Sequence, residues 1–172
     1  MLAPSNLSNL DFTGFDLSYA DFNHSVLSGA ILTDTIVLHT NFYHSNLSGV
    51  DLSGNDLTGT ILTLADLTYA NLTGVDLSGK DLRQAILTGV DLSNKDLTDT
   101  ILIDADLTNA NLAGVDLSGK DLTGTILTGV DLSNKDLTGT ILAGADLTNA
   151  NLTGIDLSGK DLTGTILTGV DL

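Results

Sequence analysis

The chain has no cysteine, no tryptophan and no glutamate, one proline, one methionine and only seven aromatic residues. Without cysteine there is no disulfide framework, no thiolate metal site and no cysteine nucleophile, and the redox compartment is left open. The lack of glutamate, set beside eighteen glycines, argues against a helical bundle. Positive charge is scarce: five lysines and Arg83 stand against 22 aspartates, for a net charge of −16. Binding to DNA or RNA through phosphates needs clustered Lys and Arg, so no direct nucleic-acid contact is expected. Long apolar runs are missing too. The longest aliphatic run is Ile36-Val37-Leu38, where a spanning helix needs roughly 20 apolar residues, so no membrane segment is expected. The opening stretch MLAPSNLSNLDF has neither the basic region nor the apolar core of a secretory signal, which makes the cytoplasm the expected location. A hydrophobic fraction of 42% is too high for a disordered acidic tail.

The 172 residues are built on a period of five. Every fifth residue from Leu2 to Leu172 is Leu, except Phe12, Phe22, Val37 and Phe42, and the frame never slips. With this residue numbered 0, position −1 is Asp nineteen times, +1 is mostly Ser or Thr, and all eighteen glycines fall at +2. Five matches neither the strand period of 2 nor the helix period of 3.6. It suits a short extended piece followed by a turn. Positions −2 and 0 then share the inward face, −1 and +1 face outward, and Gly or Asn at +2 takes a corner with positive φ. A chain that bends every five residues must coil. One coil cannot bury its leucines alone, whereas stacked coils can.

Units such as Ala105-Asp106-Leu107-Thr108-Asn109 and Ala150-Asn151-Leu152-Thr153-Gly154 resemble those of the pentapeptide repeat family, and the likeness extends over nearly the whole chain. The resemblance implies an all-β fold, a right-handed quadrilateral β-helix (β-solenoid) with four pentapeptides per coil and about 8 coils. The sequence carries a check of its own: residues 75–114 and 115–154 are near copies, and forty residues make two coils of twenty. At about 4.8 Å between stacked strands the rod is roughly 41 Å long. A single solenoid domain over 1–172 is expected, with 1–25 as an N-terminal cap and irregular first coil and 26–172 as regular coils. Leu10 and Phe15 at −2, with Phe12, Phe22 and Phe42 at the central position, are expected to plug the first coils, and Pro4 to blunt the opening edge. The C-terminal coil reads as uncapped, which invites end-to-end homodimerisation or continuation of the array.

Folding the sequence at twenty residues sets up columns. Asp56, Asp76, Asp96, Asp116, Asp136 and Asp156 form one acidic ladder, in which like charges face one another. These six are the candidate partner-binding residues. Elsewhere Ile alternates with Asp (Ile61, Asp81, Ile101, Asp121, Ile141), which limits any sticky patch. Lys80, Lys95, Lys120, Lys135 and Lys160 fall at the inward −2 position. Their stems are expected to line the corner while the ammonium groups snorkel towards neighbouring carboxylates.

No catalytic residue, cofactor or metal ligand is assigned. The serines lie on flat repeat positions where a triad has no pocket to converge in. His24 and His44, twenty residues apart, should stack at one corner near His39, Tyr19 and Tyr43; with no third ligand evident they read as solvated corner residues. A flat Asp ladder offers calcium few of its six to eight ligands, and the column of threonines beside it is ordinary for such repeats. The expected role is a non-enzymatic rod acting as scaffold, spacer or protein-interaction surface, its protein partner unidentified. The resemblance implies one alternative, an acidic DNA mimic that binds and inhibits a type II topoisomerase such as DNA gyrase. B-DNA carries one charge per about 1.7 Å of axis, so a rod of this length would match about 24 charges, close to the number of aspartates present.

Overall fold

The computed structural model describes residues 5–172. Pro4 and the rest of the first four residues of the expected cap lie outside the described residues. From Ser5 onward each pentapeptide makes one turn. The central carbonyl accepts from the N–H three residues on, as in Ala30 N to Leu27 O at 2.8 Å. Fifteen non-glycine residues and all eighteen glycines at +2 have positive φ, while the +1 residues do not. That combination is the type II turn. Gly or Asn was the expectation at this position. The corner also accepts Tyr19, His24, His39, His44, Leu64, Tyr69 and Gln84, although a left-handed conformation costs such residues about 1–2 kcal/mol each.

Between turns, parallel bridges join residues twenty apart. Asn6↔Val26, Asp11↔Ile31, Asp16↔Ile36 and Asp21↔Asn41 open four columns. Leu27 N donates to Asn46 O at 2.7 Å and Asn46 N to Ser25 O at 2.9 Å, and this pair of bonds repeats along the stack. The result is a β-solenoid. Its strands are single bridges because the chain turns again before a longer ladder can form.

The central residues from Leu27 to Leu152 are all buried, and Ala65, Ala85, Ala105, Ala145, Val90 and Val130 fill in beside them from −2. Burying each Leu is worth about 1.5–3 kcal/mol, which stacking supplies to every coil at once. Polar residues at −2 are accommodated by bonding the backbone. The buried Thr100, Thr125 and Thr140 hydroxyls donate to Leu77 O, Leu102 O and Leu117 O at 2.8, 3.0 and 2.8 Å.

The first coil departs from expectation. It is regular, since the turns and bridges start at Asn6 with the same spacing as elsewhere. Leu10 and Phe15 do not plug it: they are 46% and 57% exposed. The aromatic residues that pack there are central ones. Phe12 and Phe22 lie partly buried against the core, and Phe22 stacks on the buried Phe42 with ring centroids 5.8 Å apart. Phe15 only meets Phe12 edge-on at 6.2 Å.

The four columns are not equally zipped. The Asn6 column is bridged without a gap to Ile166, whereas those beginning at Asp11 and Asp21 each miss some rungs. On the Asp16 column, the rung Asp16↔Ile36 is the only one among the described residues.

Candidate functional site

Beyond Ile36 the poorly bridged column consists of the six ladder aspartates, Asp56, Asp76, Asp96, Asp116, Asp136 and Asp156, all exposed. Each performs a local task that the period alone did not reveal. Its Oδ1 accepts the backbone N–H two residues on, from Thr58, Ser78, Thr98, Ser118, Thr138 and Ser158, at 2.8 Å in every case. This Asx turn lets a short carboxylate stand in for a backbone acceptor, and it accounts for Asp at −1 with Ser or Thr at +1. Hydrogen bonding from those same residues holds all six carboxyls below the usual carboxylate range. The hydroxyl leads at five of them and the Ser118 N–H at Asp116. Repulsion from Asp76 on Asp56 and Asp96, and from Asp136 on Asp116, is a smaller opposing effect. The ladder therefore stays ionised despite its stacking.

The neighbouring column shows what the ladder lacks. There Asp alternates with Asn, and the amide spans the coils: Asn71 Nδ2 to Asp51 Oδ1 and Asn111 Nδ2 to Asp91 Oδ1 at 2.9 Å, Asn151 Nδ2 to Asp131 Oδ1 at 3.0 Å. The bridges Asp51↔Asn71, Asp91↔Asn111 and Asp131↔Asn151 accompany these bonds. With Asp on Asp no amide donor is available, and like charges opposite one another work against the rung. Shallow clefts open along the ladder instead. One of about 450 Å³ lies between Asp96 and Asp116, and equivalent ones of 350 and 370 Å³ separate Asp56 from Asp76 and Asp136 from Asp156. Half-buried lysines stand in their walls: Lys95 and Lys120 in the first, Lys80 in the second, and Lys135 and Lys160 in the third.

The lysines correct the snorkelling expectation. Among the described residues the single salt bridge is Arg83–Asp81 at 2.6 Å. The ammonium groups turn instead to backbone carbonyls. Lys95 Nζ donates to Val75 O at 2.9 Å and Lys135 Nζ to Val115 O at 3.1 Å. Lys80 Nζ reaches Leu57 O at 2.6 Å, and Lys120 and Lys160 make the equivalent bonds to Leu97 O and Leu137 O. On the zipped columns the −2 carbonyl accepts an N–H from the next coil, as Ser25 O does from Asn46; Lys95 and Lys135 take that carbonyl on the ladder column, whereas Lys80, Lys120 and Lys160 bond the carbonyl of a central Leu. A nearby carbonyl satisfies a half-buried ammonium without carrying it past the carboxylates. Burial pushes the Lys95 and Lys135 ammonium groups down, and Asp91 with Asp76, or Asp131 with Asp116, pull the other way.

Asn55 does forty residues earlier in the same column what Lys95 and Lys135 do later. It is buried, and its Nδ2 donates to Thr35 O at 2.7 Å. Its Oδ1 has no hydrogen-bond partner. The forty-residue spacing of Asn55, Lys95 and Lys135 was the available signal. The three histidines all occupy corners, His39 stacked on Tyr19 at 4.8 Å and His24 against His44. Among the described residues no group of three or more His, Cys, Asp or Glu side chains converges as metal ligands would, and no helix is long and apolar enough to cross a membrane.

A family model described as pentapeptide repeats matches in eight copies, over residues 5–42, 45–84, 65–104, 105–144 and 145–172. Among solved structures, the chain is similar to HetL, a pentapeptide repeat protein involved in heterocyst differentiation regulation in the cyanobacterium Nostoc sp. strain PCC 7120. The two are 32% identical over 98% of this chain and 87% of that one, with a TM-score of 0.44. It is also similar to a trypsin-treated form of QnrB1, a plasmid-mediated fluoroquinolone resistance protein, at 20% identity over 98% and 90% of the chains and a TM-score of 0.47. A pentapeptide repeat protein of the Arabidopsis thaliana thylakoid lumen shares 24% identity over 87% and 70%, with a TM-score of 0.29. No curated protein sequence matches.

Proposed function

The chain belongs to the pentapeptide repeat family, and from that premise we propose that it is a non-enzymatic rod, a right-handed four-sided β-solenoid serving as scaffold, spacer or protein-interaction surface. The observation that carries this reading is the unbroken frame. Turns recur every five residues and stacking bonds every twenty, from Asn6 to Asp171. The clefts between coils are shallow repeats of one another, lined by ionised carboxylates already committed to their own turns and by lysines already bonded to backbone carbonyls. Catalysis needs unlike titratable groups set apart from the scaffold, and a spacer needs only a register that can be lengthened by whole coils. Deleting residues 75–114 removes two whole coils in frame. The expected product is a folded, cooperatively melting rod shorter by about 10 Å at roughly 4.8 Å per coil, measured by small-angle scattering. Collapse of the shortened chain would overturn the reading.

The alternative is an acidic DNA mimic that inhibits a type II topoisomerase such as gyrase. One observation favours it: six exposed, ionised carboxylates share one line along the rod, on the column where backbone rungs are missing. A supercoiling assay separates the two. Dose-dependent inhibition, relieved by Asp76→Asn with Asp96→Asn and Asp116→Asn, supports mimicry; no inhibition at large molar excess removes it.

A further inference from the structure

The corner shared by His24 and His44 has features the repeat does not require. Most corners of this kind carry Gly, Asn or Asp. Here two exposed imidazoles occupy adjacent coils at φ 56° and 52°, and neither gains burial in return for the strained backbone. Backbone strain held without burial is a reason to look for a function. The two side chains also converge: His24 Nδ1 and His44 Nδ1 lie 2.9 Å apart, with ring centroids 4.7 Å apart and planes inclined at 52°. The Tyr43 ring stands edge-on to His24 at 5.7 Å and braces one side of the pair.

We propose that His24 and His44 form a two-nitrogen chelating site for a divalent transition metal of tetragonal preference, Cu(II) first and Ni(II) second. The intrinsic order of affinities, Ni(II) below Cu(II) and Cu(II) above Zn(II), sets the preference, and the spacing is compatible with it. Two nitrogens bound cis in a square plane at about 2.0 Å sit about 2.8 Å apart, whereas a tetrahedral zinc site holds them at about 3.3 Å. The observed separation is close to the square-planar edge. Without metal, one Nδ1–H donates to the other Nδ1. On binding, that proton leaves Nδ1 and the same ring takes one up from water at the exposed Nε2, so both rings stay neutral and no net proton is released. Both Nδ1 lone pairs then face the metal. Water completes the coordination, because the carboxylate three residues before His24, Asp21, is already held by the Asn23 and Asn41 amides at 2.8–2.9 Å.

The test uses the untagged full-length chain in buffer free of chelators, titrated with CuSO4 by calorimetry and followed by electron paramagnetic resonance. The expected result is one site per chain with a two-nitrogen hyperfine pattern. His24→Asn and His44→Asn each weaken it by about a hundredfold through loss of chelation, and His39→Asn leaves it unchanged. Asn is the replacement because Asn9, Asn94 and Asn109 already occupy such corners with positive φ, so the variants keep the fold, checked by circular dichroism. The proposal is overturned if the signal shows oxygen ligation alone, if the double variant binds copper as well as the parent, or if His39→Asn weakens binding equally.

Discussion

Gly49 and Gly89 occupy the same corner of the solenoid, one coil on either side of Tyr69, and they provide an internally controlled substitution. Both have φ of +67°, and their N–H groups make equivalent bonds, to Thr68 O at 2.8 Å and Thr108 O at 2.9 Å. They differ in what lies over them. A Cβ at Gly49 would meet nothing within 4 Å, whereas at Gly89 it would strike the ring of Tyr69, at Cε1 and Cδ1. Gly49→Ala therefore carries only the left-handed penalty, about 1–2 kcal/mol. Gly89→Ala carries that penalty plus the displacement of the ring. Overpacking costs about 1–3 kcal/mol, and because Tyr69 is itself 69% exposed and can swing outward, the lower end applies. Gly89→Ala should thus exceed Gly49→Ala by about 1 kcal/mol in urea unfolding monitored by circular dichroism. In a Tyr69→Gly background the excess should vanish, so the double-mutant cycle reports the contact itself. Equal costs for the two alanines, or an excess that survives removal of the ring, would refute the reasoning.

Four further outcomes follow from the same geometry. Leu107→Ala, at a fully buried central position, should cost about 2–5 kcal/mol in the same unfolding assay. Lys95→Met strips the donor from Val75 O and should cost about 1 kcal/mol; Lys95→Asn should restore most of it, since Asn55 makes the corresponding bond one superperiod earlier. The six ladder carboxyls have folded values below the ordinary 3.8. Their contribution to stability is complete above the unfolded value and lost as pH falls through the lower folded values, so the melting temperature should hold down to about pH 4 and drop below it; a maximum at still lower pH would contradict this. At neutral pH, raising ionic strength from 0.01 to 0.15 M shortens the screening length from about 30 to 8 Å and should raise the melting temperature of a chain with net charge −16; a fall would show that attraction, not repulsion, dominates the ladder.

The five-residue frame, the inward leucines and the positive-φ corners were legible in the sequence because each follows from a local rule repeated along the chain, whereas the twenty-residue stack came from the family resemblance, with the forty-residue near copy as its check. An apolar residue at every fifth position has one way to be buried, and the eighteen glycines, all at corners, have one reason to be there. The acidic column was legible for the same cause, as arithmetic on a constant register. What needed the tertiary structure was everything that depends on where a flexible side chain finds its partner. The Lys80, Lys95 and Lys135 ammonium groups could reach carboxylates or carbonyls, and coil spacing put carbonyls nearer. Of the large residues expected to plug the first coils, packing took in Phe12, Phe22 and Phe42 and left Leu10 and Phe15 exposed. The loss of rungs along Asp56–Asp156, and the meeting of His24 and His44 at Nδ1, arise between coils, where twenty residues of chain separate atoms within hydrogen-bonding distance. A repeat fixes its own conformation through short-range sterics and burial, but the choice among competing hydrogen-bond partners is settled only when the coils are stacked.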